Sequence, residues 1–252
     1  MTIQTIAQTY ASAAKRLLLL DYDGTLADFA PTPSGAAPPQ ELLRTLEVLA
    51  QQPANTVVIV SGRDKQTLTD WLSHLPVSFA AEHGYWRKEA GKDWQATMHN
   101  DASWKIAVQS LMDEVTAANP GSLIEEKSSS LVWHYRAADD ADTARESARL
   151  LVESVENLQD QFTLRILDGN ANVEVQLAGT DKGSAAQYWL QHEYDFILAA
   201  GDDTTDEDLF TAMPDTAYTI KVGPGATAAR LHVDSPAELR QLLGQLAEQA
   251  SS

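Results

Sequence analysis

Apolar positions along the chain alternate between short continuous runs and helical stripes. Residues 16–21 hold a compact run, Leu17 to Leu20, that charge and glycine cut off at once, which predicts a buried strand. After a loop at 34–39 ("SGAAPP"), residues 40–51 place Leu42, Leu43, Leu46 and Leu49 at helical spacing. A second β-branched run, "NTVVIVSG" at 55–62, precedes a short helix at 64–73 and a strand at 77–82. Strand and helix alternating in this way predict a parallel sheet with covering helices.

From residue 101 the pattern changes. A helix at 102–118, carrying Ile106, Leu111 and Val115, leads to alternating strands at 122–127 and 130–136; a second helix at 140–157 leads to strands at 162–167 and 171–177. The order α-β-β-α-β-β predicts an antiparallel sheet with helices on one face. The first pattern resumes with a helix at 182–191, a strand at 195–200, a helix at 204–212 and a strand at 217–222. A closing helix starts with a capping box, Ser235 to Glu238, with Pro236 at its first position and Leu239, Leu242, Leu243 and Leu246 as its stripe. The expectation is an α/β protein with a discontinuous core, 1–100 and 179–252, interrupted by an inserted α/β domain at 101–178.

Charge narrows the choice of partners. Eighteen Lys+Arg against 36 Asp+Glu give a formal net charge of −18 over 252 residues. Nucleic acid and anionic membrane are both bound through basic patches, so neither is expected here. The chain has no cysteine, which excludes disulfides, thiolate zinc sites and cysteine nucleophiles. The N-terminal apolar run is too short for a signal peptide, and no apolar run reaches the ~18 residues of a membrane span, so the expectation is a soluble, cytoplasmic protein.

The strand ends carry the chemistry. Asp21 and Asp23 are spaced to share a face at the end of an apolar strand, where open parallel sheets bind ligands. An ionised Asp can attack phosphorus, and a second carboxyl of raised pKa can protonate the leaving oxygen and later deprotonate a water. Gly24 permits a sharp turn, and Thr25 offers a hydroxyl to the nucleophile or a phosphoryl oxygen. The second run ends in Ser61, Gly62 and Arg63, a hydroxyl and free N–H groups suited to a phosphoryl oxygen, and Lys182 opens a later helix. "ILAAGDDTTDEDLF" breaks an apolar strand at Gly201 into Asp202, Asp203 and Asp206. That many carboxylates repel one another unless a hard cation sits among them, and such ligands suit Mg²⁺.

These stretches, DYDGT (21–25), Ser61-Gly62-Arg63, Lys182 and GDDTTDE (201–207), resemble the four motifs of the haloacid dehalogenase-like phosphatase superfamily. Within it the chain resembles the trehalose-6-phosphate phosphatases through "AEHGYWRK" (81–88), "EEKSSSLVWHYR" (125–136), "NVEVQLAGTDKGSA" (172–185), "GDDTTDEDLF" (201–210) and "KVGPGATAA" (221–229). The resemblance implies a Rossmann-like parallel core of the haloacid dehalogenase type with an inserted cap that sets substrate specificity. It implies Asp21 as nucleophile, Asp23 as general acid/base, and Ser61 and Lys182 on the transferring phosphoryl group. It places Mg²⁺ on Asp21, the Asp23 carbonyl and Asp202, with Asp206 supporting. It gives Glu125, Lys127 and Glu174 to the sugar; read without it, these three also suit a cross-strand salt bridge. His83 and His134 read as structural, and Arg136 also matches a family motif. One departure is the run Val175, Gln176, Leu177, Ala178, where a basic residue and a proline often follow the matched glutamate.

The activity implied is Mg²⁺-dependent hydrolysis of trehalose 6-phosphate. Beside it stand a phosphatase of another sugar phosphate, such as those of glucosylglycerol, sucrose or mannosylglycerate, and a catalytically silent regulatory domain. The family also occurs fused to a trehalose-6-phosphate synthase, so a chain beginning 20 residues before Asp21 reads as free-standing or as an excised half.

Overall fold

The computed structural model describes residues 3–30, 33–98 and 102–249. The chain divides into two compact units, Met1–Thr97 with Thr180–Ser252, and Met98–Gly179. In chain order the strands are β1 (Arg16–Leu20), β2 (Asn55–Val60), β3 (Ser78–Ala81), β4 (Trp86–Lys88), β5 (Gln95–Ala96), β6 (Leu123–Glu126), β7 (Ser130–His134), β8 (Leu164–Gly169), β9 (Asn172–Leu177), β10 (Phe196–Gly201), β11 (Tyr218–Val222) and β12 (Leu231–Val233). The α-helices are α1 (Ile3–Ser12), α2 (Gln40–Gln51), α3 (Lys65–Leu72), α4 (Ser103–Ala118), α5 (Ala141–Glu156), α6 (Lys182–Leu190), α7 (Thr205–Ala212) and α8 (Pro236–Gln249).

The first unit is built on an eight-stranded sheet of order β12-β11-β10-β1-β2-β3-β4-β5, parallel except where β4 and β5 fold back as an antiparallel edge. The leucine run is β1 at its centre. Leu18 and Leu20 join the core beneath α1, α2, α3 and α8, whereas Leu17 and Leu19 join the core beneath α6 and α7. A strand covered on both faces needs no polar alternation, which is why β1 reads as continuous leucine. Register places Leu20 between Ala200 of β10 and Ile59 of β2, so the residues that follow these strands emerge side by side.

The second unit is a four-stranded antiparallel sheet of order β6-β7-β9-β8, with Trp104, Val108 and Met112 of α4 and Ala144, Ala148, Leu151 and Val155 of α5 packed on Leu131, Trp133, Val173 and Val175. Three features of the first unit have no counterpart in the sequence expectation: α1, the β4–β5 edge and β12. Ile6 and Tyr10, with the small Ala7 beside them, give α1 a weak apolar stripe, and the edge strands are too short to show a period. Among the described residues no helix is long and apolar enough to cross a membrane.

Candidate active site

Three ends of neighbouring elements converge in the first unit. Asp21 leaves β1 with its N–H bonded to the Ala200 carbonyl at 3.0 Å and its side chain 5% exposed. Its Oδ1 accepts from Lys182 Nζ at 2.7 Å, and the same ammonium donates to Asp206 Oδ1 at 2.8 Å. Lys182 is the first residue of α6, set there by an Asp181–Ser184 capping box that fixes where the helix begins. Asp206 Oδ2 accepts the N–H groups of Asp202 (3.0 Å) and Asp203 (3.1 Å), so this carboxylate ties down the loop between β10 and α7. Thr25 donates its hydroxyl to Asp202 Oδ1 at 3.3 Å.

Charge is concentrated here out of water. Burial pushes the Asp21 carboxyl well above its ordinary range; Lys182 pulls it back, and the carboxylates of Asp206, Asp202 and Asp203 push it further up. Burial, with Asp203 and Asp206, pushes Asp202 up to about 7. Asp203 goes the other way: although burial opposes it, Lys182 and the bonds from Thr205 hold it down to about 2. Burial would lower Lys182, but Asp206 and Asp21 outweigh it and keep its amine protonated.

Lys182 bonds the side chains of Asp21 and Asp206, which leaves an excess of negative charge among these acids, and a buried oxygen remains over. Among the described residues Asp21 Oδ2 is buried without a hydrogen-bond partner, and the acids of Asp21, Asp202 and Asp206 offer ligand atoms all within 4.8 Å of one another. Gly24, at φ +74°, keeps this space open: a Cβ on it would lie 2.2 Å from Asp202 Oδ2. An orphaned carboxylate oxygen facing other carboxylates is the donor set of a hard divalent cation. Since both Asp206 oxygens are already bonded, Asp21 and Asp202 are the free donors, with Asp206 behind them.

The turn after β2 stands beside this group. Ser61 is buried, its Oγ accepts the Arg63 N–H at 3.1 Å, and its carbonyl accepts the His83 N–H at 3.1 Å. Glu82 and His83 take φ of +50° and +54°, a left-handed pair that bends the chain under this turn and brings the His83 ring against Gly62. Arg63 grips Asp23 with two bonds, Nε to Oδ2 at 2.7 Å and Nη2 to Oδ1 at 2.6 Å, while its guanidinium lies over the Trp71 ring at 4.5 Å. The Asp23 carboxylate therefore belongs to Arg63 and stands apart from the Asp21–Lys182–Asp206 group.

The remaining sequence candidates lie in the second unit. Val132 registers with both Glu125 and Glu174, so these three share one row and one face across β6, β7 and β9. Lys127 Nζ meets Glu174 Oε1 at 3.3 Å, Ser130 donates to the same oxygen at 2.6 Å, and His134 Nε2 lies 2.8 Å from Glu125 Oε2. Glu125 is held below its ordinary range, first by that His134 bond.

Sequence reasoning missed Lys221, which donates its ammonium to the Asp202 carbonyl and anchors the loop between β10 and α7 from β11. The signal was present: "YTIKV" is a buried strand with a lysine in it, and lysine is buried only where something accepts its protons.

The family model described as trehalose-phosphatase matches residues 19–241. The bifunctional trehalose-6-phosphate synthase/phosphatase of Thermoproteus tenax is 41% identical over 98% of this chain, which spans 34% of that protein. The trehalose-phosphatase of Saccharomyces cerevisiae is 32% identical over 96% of this chain, which spans 32% of it. The chain thus covers about a third of the length of the curated relatives it matches. Among solved structures, the C-terminal domain of C. albicans trehalose-6-phosphate phosphatase superposes with a TM-score of 0.89 at 32% identity, covering 98% of this chain and 97% of that one. The haloacid dehalogenase-like fold extends further, to a B. subtilis hydrolase at 13% identity with a TM-score of 0.60. With the match running from within β1 to within α8, this chain belongs to the trehalose-phosphatase family.

Proposed function

We propose that the chain is a phosphoric monoester hydrolase that releases phosphate from trehalose 6-phosphate, acting in the cytoplasm, on its own or joined to a synthase. The observation that carries this is the buried Lys182 ammonium held between Asp21 and Asp206, beside an Asp21 oxygen that no described residue satisfies. Buried charges persist only where they are used or fully paired, and here the pairing is incomplete.

In this reading the Asp21 carboxylate attacks phosphorus in line with the leaving sugar oxygen, forming an aspartyl phosphate. Lys182 neutralises one phosphoryl oxygen, and the Ser61 hydroxyl takes another, the Ser61 and Arg63 N–H groups being already bonded to the Ala80 carbonyl and to Ser61 Oγ. Asp21, Asp202 and the Asp23 carbonyl, with Asp206 behind them, would hold Mg²⁺, which would supply the positive charge that lets a dianion approach a carboxylate. Asp23 protonates the departing sugar hydroxyl and then activates the water that frees the enzyme. Arg63 holds both Asp23 oxygens, so it must pass from Asp23 to the phosphate for that carboxyl to reach the leaving oxygen. The second unit, residues 101–178 in the sequence expectation, acts as the cap, and Glu125, Lys127 and Glu174 meet the sugar hydroxyls.

Phosphate release from a panel of sugar phosphates, with Mg²⁺ and again with chelator, tests the reading. Metal-dependent preference for trehalose 6-phosphate is expected. Release from a different sugar phosphate would keep Asp21 and Asp202 in their roles and remove the three cap residues from theirs; no release from any would return the chain to the silent-domain reading.

Gly24→Ala provides an independent check. A Cβ would both strain a left-handed residue and strike Asp202, a displacement on the order of 1 Å that costs about a hundredfold in turnover. Full activity in that variant, read by steady-state phosphate release, would mean that Asp202 does not need its present position.

A further inference from the structure

Phe29 is out of place by the ordinary rule for large apolar side chains. Tyr22 and Leu26, just before it, are fully buried, yet Phe29 is 75% exposed. A loose backbone is not the reason. Gly24 N–H donates to the Ala27 carbonyl at 2.8 Å, and the N–H groups of Leu26 and Ala27 both donate to the Tyr22 carbonyl at 2.9 Å. Arg240 of α8 then clamps the segment, donating to the Leu26 carbonyl at 2.9 Å and to Asp28 Oδ2 at 3.2 Å. The fold thus spends four hydrogen bonds and an ion pair on the turn that presents an aromatic ring to solvent.

The ring is presented at one particular place. Its Cζ lies 2.6 Å from the point where a Cβ on Gly24 would sit, and the same point is 2.2 Å from Asp202 Oδ2. One edge of the ring and the acid group of the site therefore border a single small space. A sugar ring has two kinds of surface, hydroxyls at its rim and C–H groups on its faces. Carboxylates and lysines suit the rim, while an aromatic platform suits the faces, which is why binding sites for small molecules combine apolar rings with a few polar groups.

We propose that Phe29 packs against the sugar ring that carries the phosphate and so selects for a sugar leaving group. The proposal rests on the sugar-phosphate reading above and assigns the apolar part of recognition to the same unit that holds the nucleophile.

The test compares wild type with Phe29→Ala and Phe29→Trp on trehalose 6-phosphate and on acetyl phosphate, whose leaving group has no ring. In Phe29→Ala, KM for trehalose 6-phosphate rises about tenfold with kcat changed less, and kcat/KM falls at least about fivefold further than it does on acetyl phosphate. Phe29→Trp restores most of the loss. Equal losses on both substrates, or none on either, would overturn the proposal. A wild type that hydrolyses acetyl phosphate but no sugar phosphate would refute the sugar-phosphate reading, and this proposal with it, before any variant is compared. The side chain's exposure lets both variants fold, which matching thermal transitions check.

Discussion

Asp21→Asn lowers phosphate release by a factor on the order of 10⁴ or more and leaves the fold at least as stable as before. The loss follows from chemistry: the amide cannot attack phosphorus, and no other carboxylate stands where Asp21 does. Stability is preserved because burial disfavours the ionised Asp21, and Asp206, Asp202 and Asp203 repel it, while Lys182 keeps Asp206 as its partner. A carboxyl whose folded pKa lies above its unfolded one weakens the fold at neutral pH and does nothing once pH falls below the unfolded value, where it is neutral in both states. Denaturant unfolding in chelator is therefore expected to show Asp21→Asn equal to or above wild type at neutral pH, with any advantage gone in acid. Activity within tenfold of wild type would remove Asp21 from its role as nucleophile.

Lys182→Met loses both activity and stability. The methionine fills a similar volume but leaves Asp21 and Asp206 facing each other without a cation, and breaking such a buried pair costs about 3–5 kcal/mol. Catalysis falls with it, since nothing then offsets the repulsion between the carboxylate and a phosphate dianion. Adding Asp206→Asn to Lys182→Met is expected to recover part of the stability and none of the turnover. If the single variant unfolds at the same denaturant concentration as wild type in chelator, the ammonium is not holding the site together.

Much of this was legible in sequence because both the strands and the site obey local rules. Leu17 to Leu20 are continuous because β1 is covered on both faces, and the carboxylates follow at once because parallel strands end together. Partnership was not legible. Asp21, Lys182 and Asp206 each sit at a recognisable strand end or helix start, but that one ammonium joins the two acids depends on how β1, β10 and α6 meet. Likewise the grip of Arg63 on Asp23 follows from the bend at Glu82 and His83, whose left-handed backbone no residue preference announces. Short segments such as β5 and β12 escaped because a strand of two or three residues carries no period.

The central pairing of β1 with β10 also has a consequence in time. Asp21 and Lys182 are separated by 161 residues of chain, and the second unit lies wholly between them. Closing so long a loop is entropically expensive, so contacts of this kind form late and slow the search for the native state. A chain emerging from the ribosome exposes β1 early, yet Lys182 and Asp206, which surround Asp21 in the fold, are made much later. The ion pair between Asp21 and Lys182 thus reports whether two stretches made far apart in time have found each other.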